Sequence, residues 1–472
     1  MLRSLFVLLI LIPGIAAAVR SRYAALLLYL WFALFRPQEW LWIDITGLRL
    51  SLLLSLLVVV PWTWLISQWV SAEKRREYAR EALPNLTHPM SIGMTLFFVT
   101  ALVAHQHAFN SALSLNWIDF MWRLLLVTMV MMTLVSTKER FWGVVFVIAA
   151  SIGFHATKAG ISSLIGGGVR YQMGLGGAFE DSNAYALVIV TIMPFLVVIG
   201  QTTARRWLRW LCWGSVIPSA YTVVSTFSRA GFLALAIAVL AFAAMQRRRI
   251  LIFLGMVVLG GVIALVVPVP EGYFDRLQTI QTYQEIDEGS ALSRLHFWRV
   301  ALVMVEANPF GVGLRNYDEA YDTYDFSFGK YGHKRAVHNS HFQVLAENGW
   351  AGLAIWLALF AYAFYLCLRV RSRSKTPTLP ENDRDFFFAM SNGLLVSMLA
   401  FLTGGSFIAT ALNDLTWLTF GLAAILDRLM TEHLAASRPV AAPAAVPFQG
   451  GYRARLSAPP EPDGSGPGGG AR

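Results

Sequence analysis

Residues 184–200 read "AYALVIVTIMPFLVVIG". Not one of them is charged, and about 17–25 such residues are what a helix needs to cross a bilayer. Runs of the same kind lie near 4–19, 22–36, 48–69, 90–107, 119–136 and 139–156, and again near 206–224, 229–245, 249–267, 347–369, 386–409 and 412–430. These runs predict an all-α polytopic membrane protein with about 12 transmembrane helices. The first two runs are short, so the N-terminal count is the least determined part. "MLRSLFVLLILIPGIAAAVR" reads as a retained first helix, the alternative being signal-peptidase cleavage after its Ala-Ala-Ala.

Composition agrees with this reading. Of 472 residues 56% are hydrophobic and 14% charged, where soluble domains carry about 25% charge. Only two cysteines occur, Cys212 and Cys367, both inside apolar runs, which argues against a disulfide framework and a cysteine-based metal site. A net charge of +10 would point a soluble protein toward nucleic acid. Here the basic residues sit in short clusters between apolar runs, so no nucleic-acid partner is expected and membrane lipids are.

Those clusters orient the chain. "EKRREYAR" at 73–80, "TKER" at 137–140, "ARR" at 204–206, "QRRR" at 246–249 and "RVRSRSK" at 369–375 occupy alternate connections, which places them in the cytoplasm. The loops 157–183 and 268–346 then face the other side. Four parts result: N-terminal transmembrane helices over 1–267, an extracytoplasmic loop subdomain with helical content over 268–346, C-terminal transmembrane helices over 347–433, and a Pro-, Ala- and Gly-rich disordered cytoplasmic tail over 434–472.

The informative polar residues all fall on the extracytoplasmic side. In "AVHNSHFQVLAENGW" at 336–350, Ser340 and Gln343 have capping-box spacing, Ser340 as N-cap of a helix running to about Arg369. His338 then lies just beyond the positive end of the helix dipole, which favours a neutral imidazole, a usable general base. The plainer reading gives His338 and His341 only loop and cap roles. A zinc site from His333, His338 and His341 lacks a completing cysteine or carboxylate, so no metal is expected. In "TFSRAGFLAL" Arg229 opens a span among Ser225, Thr226 and Ser228, either snorkelling or holding phosphate by paired hydrogen bonds. In "GSALSRLHFWRVALVMVEANPFGVGLRNY" at 289–317, Ser290 caps a helix ending near Asn308-Pro309, with Arg294 in its first turns, where an anion is favoured. In "KAGISSLIGGGVRYQMGLGGAFEDSNAYAL" at 158–187, Lys158 leaves the membrane and Arg170 sits in a glycine-rich loop. Asp318, Asp322 and Asp325 read as a solvated face rather than a cation site. One histidine base and several cations at the outer rim suit an anionic, lipid-linked substrate, whose pyrophosphate leaving group needs neither metal nor nucleotide.

In that order, "SRAGFLAL", the Arg294 stretch and "HNSHFQVLAENGWAGL" resemble the O-antigen ligase family over about residues 90 to 430. "KAGISSLIGGGVR…EDSNAYAL" looks like its branch of exosortase-associated O-glycosylation ligases. The resemblance implies an all-helical GT-C-type glycosyltransferase of the bacterial inner membrane, its active site facing the periplasm. It implies no cofactor, and metal-independent, inverting transfer of a glycan from undecaprenyl pyrophosphate to lipid A–core. Carried over, it makes His338 the essential histidine and Arg229 and Arg294 the pyrophosphate-binding arginines. Lys158 and Arg170 join them through the branch pattern alone, and Asn339 and His341 are supporting groups. A protein O-oligosaccharyltransferase or an O-antigen polymerase would use the same donor. A lipid-linked glycan transporter would place charge through the bilayer midplane instead.

Overall fold

Helix starts follow from capping side chains. A computed structural model of the chain describes residues 2–41, 50–60, 85–167, 173–176, 179–251, 253–255 and 291–437. In chain order its elements are α1 (Leu2–Arg20), α2 (Arg22–Phe35), α3 (Pro37–Trp40), α4 (Leu50–Val59), α5 (Pro89–His105), α6 (Ser111–Leu134) and α7 (Lys138–Ile165). A hairpin of β1 (Met173–Gly176) and β2 (Phe179–Asp181) follows, antiparallel, then α8 (Ser182–Thr202), α9 (Arg206–Ser225) and α10 (Arg229–Met245). The remaining helices are α11 (Ala291–Ala307), α12 (Tyr317–Tyr324), α13 (Ser340–Arg373), α14 (Glu381–Gly405) and α15 (Asp414–Ala436). Asn110, Thr137, Asp181, Ser228 and Asn413 accept backbone N–H bonds at the starts of α6, α7, α8, α10 and α15. Each such cap is worth about 1 kcal/mol.

Among the described residues six helices are long and apolar enough to cross a membrane, namely α1, α6, α7, α8, α13 and α14, with α4, α5 and α10 as shorter apolar helices. The protein is a multi-pass membrane protein. Helix α8, the run quoted first, is buried along nearly its whole length, with α7, α9, α10 and α14 packed around it. Beside it Trp356 of α13 and Trp417 of α15, both fully buried, lie 5.5 Å apart among Phe97, Phe360 and Phe420. Helices α11 and α12 share a smaller core of Phe297, Val300, Met304, Tyr317 and Tyr321.

The expected all-α character is modified by the β1–β2 hairpin. Helix α7 also runs past the anticipated boundary to Ile165, because Thr157 and Ala156 stay bonded to Ser219 and Thr222 of α9. Lys158 is therefore inside a helix and not in a loop. Helix α6 begins at Ser111, where Asn110 supplies a cap, and not at 119. Helix α15 continues to Ala436. Arg170, Ser290, the basic cluster 73–80, most of the run 249–267, and residues 438–472 lie outside the described residues.

The two ends of the bundle differ. At one end Lys138 pairs with Asp383, Arg247 with Asp385 at 3.0 Å, and Arg369 grips Asp427 through two bonds of 2.8 and 2.7 Å. Arg371 there donates to Asn392 (2.7 Å) and to the Met245 carbonyl (3.0 Å). The opposite end gathers the chain around 108–110, 181, 229, 291–342 and 405–413, and holds His338.

Candidate functional site

The site is organised by the start of α13. Asn339, not Ser340, is the N-cap: its Oδ1 accepts from the His341 and Phe342 amides at 2.8 and 3.1 Å, and its Nδ2 donates to the Ser406 carbonyl at 2.8 Å. The anticipated capping box does not form. Ser340 Oγ instead donates to the Ile408 carbonyl (2.6 Å) and accepts from the Thr410 amide (3.0 Å), while Gln343 Oε1 accepts from the Ala411 amide (3.2 Å). The α14–α15 connection runs into the bundle with backbone polar groups that need partners. Asn339 caps as well as serine would, so Ser340 and Gln343 serve that connection.

Further along, α13 kinks at Gly349, whose φ of +71° only glycine adopts readily. The kink frees carbonyls of the preceding turn, and the segment 309–313 takes them: the Val312 amide bonds Ala346 and the Gly313 amide bonds Glu347, at 2.9 and 3.1 Å. A Cβ at Gly349 would lie 2.1 Å from the Pro309 carbonyl oxygen. This pins "NPFGVGLRN" against α13 and sets Arg315 beside Glu347, which its backbone N–H also bonds.

His338 precedes the cap with φ +48°, a left-handed conformation in which His is over-represented among non-glycine residues. Its half-buried ring is 6.2 Å from that of Phe297. Burial, then the nearby Arg294 and Arg335 guanidiniums, hold its pKa below the ordinary 6.5, with Asp181 pulling the other way. The imidazole is therefore neutral at pH 7 and available as a base.

Arg229 opens α10 directly after the Ser228 cap, and Arg294 lies in the first turn of α11. Arg294 stacks over Phe407 with its Cζ 6.0 Å from the ring centroid. Among the described residues neither guanidinium has an ion-pair partner. Burial and the adjacent Arg229 both pull the Arg294 pKa down. Two like charges and a neutral imidazole thus form one neighbourhood. The hydroxyls expected to line it are engaged elsewhere: Ser225 and Thr226 donate to Thr222 and Val223 carbonyls, and Ser228 accepts from the Gly231 amide.

Other anticipated residues do not join. Lys158 lines a separate groove of about 710 Å³ between α7, α8 and α9. His341 Nδ1 accepts from the Trp356 indole at 3.2 Å, which ties it to the bundle interior. His333 is exposed beside Asp322 at 3.3 Å, and no group of three His, Cys, Asp or Glu is arranged for a metal among the described residues. The three aspartates of the solvated face separate as well. Asp322 accepts from the Lys334 amide, and Asp318 faces inward near Arg315. Asp325 pairs with His296 at 2.7 Å inside the fold; burial opposes its ionisation, but bonds from Ser327, Gly329 and His296 hold its pKa at about 2.

His338 opens onto a cavity of about 430 Å³. Its other polar walls include Trp117, Asp181, Arg315, Asp318 and Glu347, residues whose part in a site the sequence pattern did not signal. Glu347 is the exception in principle: an ionisable residue within an apolar run marks a functional site by default. Arg315 and Trp117 carried no such mark, because only the folded loop 309–315 brings them together, guanidinium carbon 5.2 Å from the indole centroid.

Residues 214–357 match a family model described as O-antigen ligase, and residues 2–203 match a family of unknown function. No curated protein matches the chain. The segment 214–357 is thus similar to O-antigen ligases, and Arg229, Arg294 and His338 all fall within it.

Proposed function

We propose that the protein is an O-antigen ligase that transfers a glycan from undecaprenyl pyrophosphate to a sugar hydroxyl of lipid A–core. In this reading it is a GT-C-type glycosyltransferase with about 12 spans, set in the bacterial inner membrane with the His338 end toward the periplasm. Ion-paired basic residues at the opposite end support that orientation. The observation that carries the reading is the adjacency of Arg229, Arg294 and a neutral His338. Two neighbouring guanidiniums without an ion-pair partner among the described residues favour a multivalent anion, and guanidinium geometry matches phosphate oxygens.

His338 accepts the proton of the acceptor hydroxyl as its oxygen bonds the anomeric carbon. The bond from that carbon to the pyrophosphate breaks, and its electron pair leaves with the phosphate. Arg229 and Arg294 stabilise the charge that develops there. Attack opposite the leaving group inverts the anomeric centre. The surface glycans of a deletion strain test the reading. Loss of capped lipopolysaccharide with accumulation of lipid-linked glycan is expected. Retained capping alongside unglycosylated proteins would contradict it and point to a protein oligosaccharyltransferase with the same donor chemistry.

A further inference from the structure

The cavity at His338 is walled by both matched segments. Residues 2–203 contribute Trp117 and Asp181, and residues 214–357 contribute Arg315, Asp318 and Glu347. Neither Arg229 nor Arg294 lines it. His338 is thus the residue common to a cationic neighbourhood and to a cavity with an acidic lining.

That lining is poorly suited to pyrophosphate. Three carboxyl groups face one guanidinium, and Arg315 is already engaged by Glu347 and Trp117. An entering phosphate would meet acidic walls in a partly desolvated space. A sugar ring meets the opposite conditions. Its hydroxyls donate to carboxylates, its C–H face lies against an indole, and the space suits a small saccharide. The Thr410 hydroxyl on the same wall is buried with no hydrogen-bond partner among the described residues, and a ligand hydroxyl would satisfy it.

We infer that this cavity is the acceptor subsite, which holds a hydroxyl-bearing saccharide ring of lipid A–core against Trp117 and Asp318 with one hydroxyl directed at His338. The inference rests on the ligase reading for its choice of ligand. It also brings the 2–203 segment into acceptor choice, because Trp117 supplies the wall by which this chain selects its acceptor. A serine or threonine side chain would leave most of the cavity empty.

The test measures binding of lipid A–core and, separately, of undecaprenyl pyrophosphate to the detergent-solubilised full-length chain. Trp117→Ala should weaken lipid A–core binding about tenfold, Trp117→Phe should recover most of it, and Asp318→Asn should weaken it several-fold. Undecaprenyl pyrophosphate should bind all three variants as it binds the wild type. Unchanged lipid A–core binding in Trp117→Ala and Asp318→Asn would overturn the subsite, as would an equal loss for both probes. Trp117-dependent lipid A–core binding without any capped product would uphold the subsite and sink the ligase reading instead.

Discussion

Both ends of the helical bundle are rich in arginine, yet the arginines do different things. At one end Arg369 is held by two bonds to Asp427, Arg371 reaches Asn392 and the end of α10, and Lys138 and Arg247 take the aspartates at the start of α14. At the other end Arg229 and Arg294 lie next to each other, and neither pairs with a described carboxylate. Charge at the first end ties helices together. At the second, the Arg229 and Arg294 charges meet no carboxylate among the described residues. Basic residues at a membrane rim are thus sorted by their partners, not by their number.

The largest effect is expected when the Arg229 and Arg294 charges are removed. Arg229→Ala combined with Arg294→Ala should lower ligation by more than about 10³-fold, since one lost anion-stabilising donor already costs about 10²–10³. Initial rates of transfer from a lipid-linked donor read this directly, with thermal unfolding close to wild type because no ion pair among the described residues is broken. Next comes the converse at the other end. Arg369→Ala strands the buried Asp427 carboxylate and should cost about 1–3 kcal/mol of stability, while ligation per folded molecule stays unchanged. A loss of activity without a fall in unfolding temperature would erase the contrast between the ends. The smallest effect concerns pH. The folded pKa of His338 lies below 6.5, so its neutral form persists at pH 6.5 and the acid limb of the rate profile should fall below that value. The sign for stability is the same: protonation is disfavoured in the fold, so this contribution is complete above 6.5 and lost as pH drops through the lowered value. An acid limb centred above 6.5 would exclude His338 as the titrating base.

Most helices were legible because uncharged runs of membrane-crossing length admit one interpretation. The chain from Ala291 to Ala307 was readable too, since it ends at an Asn-Pro that no helix continues through. What escaped is what depends on distant partners. Capping-box spacing pointed to Ser340, but the α14–α15 connection recruits that hydroxyl and leaves Asn339 to cap. Lys158 looked like a loop cation because nothing in "KAGISSLI" reveals that α9 will hold it helical. His338, Arg229 and Arg294 were singled out as candidates through residue type, position at helix starts and family resemblance. Arg315, Asp318 and Trp117 become a wall only after the kink at Gly349 draws the 309–315 loop against α13.

Transfer in this scheme depends most on His338 acting as the base beside Arg229 and Arg294. Purified wild type and His338→Ala, each in proteoliposomes with undecaprenyl-pyrophosphate-linked glycan and lipid A–core, should be compared for capped product and released undecaprenyl pyrophosphate. Wild type should form both in equal amounts, and His338→Ala should be slower by about 10²–10⁴-fold while binding donor normally. Near-wild-type transfer by His338→Ala would contradict the assignment.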